Sequence, residues 1–329
     1  GAPKATHPRL PGGIYPPTLA FFTESEDIDT RTLETHLTRI IKAGVAGIVI
    51  HSSIGEAEHL TREERNTMIR CAADTIHREC HTDFSSHNPP LIAACGAQST
   101  RGALQLCKDA AESGAYHALV LPPSYYASSL DDDDIIIQHF YDVADKSPIP
   151  LVIQNPPMVA AGLKPTALTS DALRRIAKHP NVVVVTLEDD NLPYTCTIAR
   201  AAYDLPKGFF VASSSARYIL QHQVFEAKAD GSNGSTVELA NLAPYTCVRV
   251  RELSCRREFS EAARLEEDIA TADLFGSVKG IVSMKAAIRY WTGYGGVPRK
   301  PYAELSPKEL QSVEEWIGGL NQAERVLDL

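Results

Sequence analysis

Polar and small residues recur at the carboxyl ends of short runs rich in Val and Ile, where they could bind a small molecule. The segment His51-Ser52-Ser53-Ile54-Gly55-Glu56 follows one such run, and its small residues leave backbone N–H groups free to hold a carboxylate or a phosphate. Other runs end in Pro122-Pro123-Ser124-Tyr125-Tyr126, Gln154-Asn155-Pro156-Pro157, Thr186-Leu187-Glu188-Asp189-Asp190 and Gly231-Ser232-Asn233-Gly234. Each segment alone also fits an ordinary turn. Together on one edge of a barrel they would form a ligand pocket.

Titratable residues beside these runs bear on acid–base and metal chemistry. His51 is a candidate acid–base group, because the unperturbed pKa of histidine lies nearest neutrality, and a structural role for it stays open. Glu188 is a second acid–base candidate. The run Glu188-Asp189-Asp190 does not predict a metal site, because neighbouring side chains of a strand point to opposite faces. We interpret Asp190 or Asn191 as the N-cap of a helix that begins near Pro193, and we predict no metal and no cofactor.

A barrel of parallel strands would bring these segments to one end of the molecule. Apolar runs alternate with helical patterns at a period of about 30 residues, which is typical of one strand–helix unit. The predicted strands are Gly13–Leu19, Gly47–His51, Leu91–Ala94, Ala118–Leu121, Leu151–Gln154, Val182–Leu187, Phe209–Ala212 and, weakly, Ala229–Gly234. This number favours an α/β fold of the (β/α)8 TIM barrel type. A doubly wound sheet is the alternative, but it requires a glycine-rich turn where the sequence reads Pro16-Pro17-Thr18.

The pattern after residue 253 becomes purely helical. The predicted helices there are Glu258–Asp273, Val278–Thr292 and Pro307–Gly318. We therefore predict a barrel over residues 1–253 and a helical C-terminal extension over residues 254–329, packed on the barrel. Within the barrel, Thr61-Arg62-Glu63-Glu64 predicts a capping box at the start of a helix.

Composition and charge exclude several classes of function. The chain has 329 residues, of which 44% are hydrophobic and 22% charged, as in an ordinary globular protein. No apolar run reaches the roughly 20 residues that a membrane-spanning helix needs. The net charge of −9 argues against a nucleic acid or an anionic membrane as partner. Seven cysteines without a CxxC pair fit reduced thiols, so we predict a cytoplasmic protein. With nucleic acid and membrane disfavoured, we predict that the ligand is a small molecule.

Motifs along the chain occur in an order that is specific to one superfamily. They are Gly13-Ile14-Tyr15-Pro16-Pro17-Thr18, Ile28-Asp29, Ser53-Ile54-Gly55-Glu56, Leu60-Thr61-Arg62-Glu63-Glu64-Arg65, Pro122-Pro123-Ser124-Tyr125, Asn155-Pro156, Asp230-Gly231-Ser232 and Met284-Lys285-Ala286-Ala287. From Gly13 to Leu320 the chain thereby resembles the dihydrodipicolinate synthase / N-acetylneuraminate lyase superfamily. It is closer to the branch of 2-keto-3-deoxy-sugar-acid and 4-hydroxy-2-oxoglutarate aldolases, because residues 158–162 lack the arginine that the synthases place there.

The resemblance implies a class I aldolase mechanism on a 2-oxo acid such as pyruvate. In that mechanism a lysine at the end of the sixth strand forms a Schiff base, and a tyrosine at the end of the fifth strand moves protons. The substrate carboxylate lies on the turn after the second strand, here Ser53, Ile54 and Gly55. We add Asn155 and Asn233 as candidate substrate-binding residues, because each stands at the predicted end of a strand.

The sequence departs from the superfamily pattern at both central positions. Thr186 stands where the lysine belongs, and Gln154 stands where the tyrosine belongs. Threonine cannot form an iminium, and glutamine does not titrate near neutral pH. Ile54 also replaces a second hydroxyl residue of the turn.

Three explanations of these departures stay open. The chain could be a lyase or synthase with a mechanism that uses no Schiff base. It could be a catalytically silent homologue that binds a small carboxylate, or an ordinary pyruvate aldolase whose lysine was deliberately changed. The resemblance further implies a homodimer or homotetramer in which Tyr125 of a neighbouring copy completes the site.

Overall fold

The structure, a computed structural model, describes residues 10–82, 88–126, 129–130, 132–156, 168–187, 192–201, 209–226, 233–273 and 280–328. Its central sheet has eight parallel strands. They are β1 (Gly13–Tyr15), β2 (Ile48–Ile50), β3 (Leu91–Ala94), β4 (His117–Val120), β5 (Leu151–Asn155), β6 (Val182–Leu187), β7 (Phe210–Ser213) and β8 (Gly234–Thr236).

The sheet closes on itself. The strand order is β1-β8-β7-β6-β5-β4-β3-β2, and the two ends of this series meet through a parallel bridge between Pro17 and Val49. Thr18 N donates to Val49 O over 2.7 Å, and Val49 N donates to Pro16 O over 3.1 Å. The predicted (β/α)8 TIM barrel is confirmed.

Helices alternate with the strands and then continue beyond them. The barrel helices are α1 (Thr30–Lys42), α2 (Arg62–Thr82), α3 (Thr100–Glu112), α4 (Asp133–Lys146), α5 (Ser170–Ala177), α6 (Leu192–Ala201), α7 (Ile219–Glu226) and α8 (Pro244–Cys255). The extension contains α9 (Phe259–Asp273), α10 (Ile281–Thr292) and α11 (Pro307–Leu327). The predicted capping box at α2 is present, since Thr61 N donates to Glu64 Oε2 and Glu64 N donates to Thr61 Oγ1.

Carboxylates of the extension cap two barrel helices. Glu266 of α9 accepts a hydrogen bond from Leu220 N at the start of α7, over 2.8 Å. Glu324 of α11 accepts from the N–H groups of Tyr245 and Thr246 at the start of α8, over 3.0 and 2.7 Å. The residue before α8 is Ala243, which offers no side-chain cap, so a distant carboxylate supplies the missing acceptors. These contacts attach the extension to the barrel.

Period-two alternation divides the strand residues between two cores. Every second residue, among them Tyr15, Val152, Val184 and Phe210, packs inside the barrel. The residues between them, such as Ile153, pack outward against the helices. Because side chains alternate along a strand, the next inward positions at the carboxyl ends are fixed by this register. They are Gln154 on β5, Thr186 on β6, Ser214 just after β7 and Thr236 on β8.

The eighth strand lies later in the chain than predicted. The sequence favoured Ala229–Gly234, whereas β8 runs over Gly234–Thr236, where it pairs with β1 and β7. This strand carries no large apolar side chain, so it lacks the hydrophobic signal of a buried strand. No helix in the described ranges is long and apolar enough to cross a membrane.

Candidate active site

Three hydroxyl groups meet inside the carboxyl end of the barrel. Thr186 is 2% exposed, and its Oγ1 lies 3.2 Å from Thr236 Oγ1 and 3.4 Å from Ser214 Oγ. Gln154 pairs in register with Thr186 on the neighbouring strand and is buried as well. We call these four residues the hydroxyl layer. Among its side chains none is an amine or an acid, so the layer can donate and accept hydrogen bonds but cannot form an iminium.

The register explains which of these residues the sequence could reveal. Thr186 and Gln154 were found because each ends a strongly apolar strand and stands at a central position of the superfamily pattern. Ser214 was missed although period-two alternation from Phe210 through Ala212 points to it. Thr236 was missed because β8 itself was misplaced.

Asn155 has a structural partner and does not line the hydroxyl layer. It follows Gln154 on β5 and therefore faces outward, and its Oδ1 accepts a hydrogen bond from Leu168 N over 2.7 Å. This bond ties the end of β5 to the residue that precedes the cap of α5. The placement supports a positioning role for Asn155 in place of the predicted direct contact with substrate.

The turn after β2 is held tightly by its own backbone. Gly55 N donates to Ser52 O, and Glu56 N donates to Ser53 O, both over 3.0 Å. A Cβ atom on Gly55 would lie 2.8 Å from the carbonyl oxygen of Thr18, so this position requires glycine. The side chain of Ser53 is exposed at this edge, whereas that of Ser52 is buried.

The two residues around this turn differ in what they offer a ligand. Ile54 is 3% exposed and packs in the outer core, so only its main chain remains available. The hydroxyl of Ser52 is buried and has no hydrogen-bond partner in the described part of the chain. Ser52 is therefore a further candidate donor that the superfamily pattern did not single out.

His51 is buried at the start of this turn and is held as a neutral imidazole. Its backbone has a φ of 65°, and its Nε2 lies 3.0 Å from the carbonyl oxygen of Arg65, so Nε2 carries the hydrogen. Burial lowers the pKa of His51 to about 3. A group that stays neutral at physiological pH and is bonded to the backbone fits a structural role better than the predicted acid–base role.

A buried ion pair joins the β2 turn to the extension. Glu56 Oε2 pairs with Lys285 Nζ of α10, and both side chains are almost fully buried. Glu56 Oε1 accepts from Arg299 N over 2.9 Å. Lys285 also lies 4.5 Å from the ring centre of Phe22. Burial lowers the pKa of Lys285, while the charge of Glu56 acts in the opposite direction.

Two further predicted site residues, Tyr125 and Asn233, lie apart from the hydroxyl layer. Tyr125 is 77% exposed; its N–H donates to Gln98 Oε1 over 2.8 Å, and its ring contacts Tyr126 edge-on. Glu188 lies outside the described residues. Asn233 does not follow a strand but precedes β8, so it lies at the amino-terminal end of the barrel. There it accepts a hydrogen bond from Arg251, and its predicted place in the substrate pocket is wrong.

Comparison with known proteins gives matches over nearly the whole chain. The model of a family described as "Dihydrodipicolinate synthetase family" matches residues 10–319. An Emericella nidulans protein named "Probable 4-hydroxy-2-oxoglutarate aldolase, mitochondrial" is 37% identical over 324 residues, which are 98% of this chain and 99% of that protein. The L-threo-3-deoxy-hexylosonate aldolase of Aspergillus niger is 35% identical over 331 residues, 96% of each chain.

A solved structure shares the fold. The crystal structure of a protein from Coccidioides immitis, assigned to the dihydrodipicolinate synthase family, superposes with a TM-score of 0.81 at 28% identity. The match covers 97% of this chain and 99% of that one.

Proposed function

Since this chain belongs to the dihydrodipicolinate synthetase family, we propose that the carboxyl end of its barrel binds a small 2-oxo acid of the pyruvate type without forming a Schiff base. The chain is then either a lyase-family enzyme with a different mechanism or a catalytically silent member that holds a carboxylate. In both cases the ligand is held by hydrogen bonds alone.

One observation carries this proposal. The inward residue at the end of β6 is Thr186, and its hydroxyl lies among those of Ser214 and Thr236. Schiff-base chemistry requires an amine that attacks the ketone carbon. The neighbouring Gln154 supplies no acid or base either. What remains is a set of hydrogen-bonding groups suited to the oxygens of a 2-oxo acid.

The relatives support the choice of ligand class. Two of them carry aldolase names, and one is named for 4-hydroxy-2-oxoglutarate, which is itself a 2-oxo acid. For this chain we infer the same class of ligand, with Ser53 and the main chain of Ile54 as the carboxylate-binding groups. The N–H group of Gly55 does not take part, because it is bound to Ser52 O within the turn. The turn is closed by its own backbone hydrogen bonds and presents one exposed hydroxyl, that of Ser53.

A second candidate function is an aldolase with a relocated lysine. Lys285 is buried, and burial lowers its pKa, which favours the neutral, nucleophilic form of an amine. Its ion pair with Glu56 acts against this function, because it keeps the lysine protonated and engaged. The two candidates differ in where a covalent adduct would form.

Reductive trapping separates the two candidates. We expect that pyruvate and borohydride leave no mass increase on the unmodified chain. The double variant Thr186→Lys with Gln154→Tyr is the positive control, and it should gain the mass of one reduced pyruvate. An adduct on the unmodified chain would overturn the proposal, and peptide mapping to Lys285 would establish the second candidate.

Calorimetric titration with pyruvate tests the binding itself. Thr186→Val keeps the shape of the side chain and removes its hydroxyl, so we expect binding to weaken by roughly two- to tenfold. Thr197→Val on the exposed face of α6 is the matched control and should bind as the unmodified chain does. Equal affinity in both variants would place the ligand elsewhere.

Restoration tests whether the scaffold still supports catalysis. The double variant should recover some aldolase turnover. Thr186→Lys alone should recover less, because a proton-transfer group commonly contributes about 10²–10⁴-fold.

Assembly belongs to the same proposal: we infer a homo-oligomer in which the exposed Tyr125 of one copy completes the site of another, and light scattering measures its mass. The cytoplasmic location stays a prediction, while the name of the Emericella relative places that relative in mitochondria.

A further inference from the structure

Glu56 ends the turn after β2 in a backbone conformation that needs support from its surroundings. Its φ of 54° lies in the left-handed region, which is unfavourable for a residue other than glycine. Its N–H donates to the carbonyl oxygen of Ser53 over 3.0 Å, so the position of Glu56 constrains that of Ser53 and Ile54 before it. Residues in such a conformation persist only where other contacts hold them.

The side chain of Glu56 makes those contacts, mainly with the C-terminal extension. Its Oε2 forms an ion pair with Lys285 Nζ of α10, and its Oε1 accepts from Arg299 N over 2.9 Å. His59 Nδ1 lies 3.2 Å from the same Oε1. Because the side chains of Glu56 and Lys285 are almost fully buried, water does not compete for the pair.

The extension residues that contact Glu56 are themselves fixed on the barrel. Arg299 donates two hydrogen bonds to the carboxylate of Glu64 at the start of α2, over 2.9 and 2.7 Å. A bidentate pair of this kind orients both side chains. The ring centre of Phe22 lies 4.5 Å from Lys285 Nζ and 4.3 Å from Arg299 Cζ. Lys285 and Arg299 therefore have defined positions, and these set the position of Glu56.

A buried ion pair adds little to stability that well-packed apolar side chains of similar volume would not add. At this position it adds direction, because it holds one carboxylate, and with it the end of the turn, in a single geometry.

We propose that Glu56 is the positioning residue of the turn after β2, and that Lys285 and Arg299 of the extension hold it in place. The extension then preorganises Ser53 and Ile54 for the ligand. Lys285 acts here through its contact with Glu56 and not as a nucleophile. The inference rests on the proposed function, because that function places the ligand carboxylate at this turn.

Amide hydrogen exchange, measured by NMR on the full chain without ligand, tests whether the ion pair holds the turn. In Lys285→Met the N–H groups of Gly55 and Glu56 should exchange about tenfold faster or more, because the turn opens locally. Glu324→Ala is the matched control, since it removes a different contact of the extension, with the start of α8, and should leave these exchange rates unchanged. Unchanged exchange at Gly55 and Glu56 in Lys285→Met would overturn the proposal.

Calorimetric titration with pyruvate tests the consequence for the ligand. The affinity should fall about fivefold or more in Lys285→Met and stay unchanged in Glu324→Ala. The double variant Lys285→Met with Glu56→Gln removes both buried charges, so it should be more stable than Lys285→Met while its affinity stays low. It also keeps the test decisive if Lys285→Met does not fold. Affinity that returns together with stability would mean that the pair serves the fold alone, and the proposal would be wrong.

The two measurements separate this inference from the proposed function. If the unmodified chain binds no pyruvate while Lys285→Met speeds exchange in the turn, the proposed function is wrong and the positioning role of Glu56 stands. If the unmodified chain and both variants bind pyruvate equally tightly, the ligand site stands and the positioning role is wrong.

Discussion

Lowering the pH from 7 to 5 should destabilise this fold through two buried histidines, His36 and His51. His36 is fully buried, with its ring nitrogens 3.0 Å from Tyr294 Oη and 2.9 Å from Asn241 Oδ1. Burial lowers the pKa of His36 to about 3, and the nearby charge of Arg39 acts in the same direction. The pKa of His51 is lowered to about 3 by burial as well. Both residues are therefore neutral in the folded protein and must stay so.

The sign follows from which state binds more protons. An unfolded chain protonates each imidazole below about pH 6.5, whereas the folded chain does so only near the lowered pKa. Between these values the unfolded state binds more protons, so stability falls as the pH falls. At pH 5 the difference amounts to roughly 2 kcal/mol for each histidine. Two such losses are large against a typical total stability of about 5–15 kcal/mol.

Urea unfolding at pH 7, 6 and 5 measures this loss. His51→Asn suits the site, because asparagine tolerates the positive φ of this residue better than most side chains. Its free energy of unfolding should depend less on pH, by roughly 2 kcal/mol over this range. His77→Asn, at an exposed position on α2, is the matched control and should keep the full dependence. The reasoning fails if the NMR signal of His51 or His36 titrates near pH 6.5 in the folded protein.

Three substitutions test the packing around the site by chemical denaturation. Gly55→Ala should lower the free energy of unfolding by about 1–3 kcal/mol, because the added Cβ would lie 2.8 Å from the carbonyl oxygen of Thr18. Gly318→Ala on α11 is the control and should not destabilise the protein, because its Cβ meets no atom within 4 Å. Lys285→Met should cost about 3–5 kcal/mol, because it leaves Glu56 buried without its cation, and adding Glu56→Gln should recover part of this loss. Glu324→Ala should lower the free energy of unfolding by about 2 kcal/mol, because α8 loses its cap. Glu324→Gln should lower it less, because the amide oxygen still accepts a hydrogen bond. Equal losses in the two variants would contradict the capping role.

The sequence predicts those elements whose hydrophobic signal is strong. The fifth and sixth strands were placed correctly because Leu151–Asn155 and Val182–Leu187 are nearly continuous apolar runs buried on both faces. The capping box of α2 was recognised because its two partners are three residues apart. The eighth strand was predicted too early in the chain, because Gly234–Thr236 is held by pairing with its neighbours and has no apolar side chain of its own.

In the candidate site too, the sequence predicts the residues that carry a local signal and not those that depend on distant contacts. Thr186 and Gln154 were found from strand ends and family motifs, which are local. The pair of Glu56 with Lys285, and the capping of α8 by Glu324, join residues far apart in the chain, so no local pattern reveals them. The neutral state of His51 likewise depends on burial that only the folded protein creates.

The side chains at the two central positions of the hydroxyl layer, Gln154 and Thr186, lie side by side. Gln154 and Thr186 face each other in register, and the inward groups around them, Ser214 and Thr236, are neutral hydroxyls. A lysine at position 186 would be desolvated there without a carboxylate among the layer's side chains, so its pKa would fall and its amine would be nucleophilic. Lys285, by contrast, is already bound to a buried carboxylate. The hydroxyl layer thus offers surroundings that favour a Schiff base, but none of its four side chains is an amine. For this reason we expect the lysine and the tyrosine, added together, to be the decisive change.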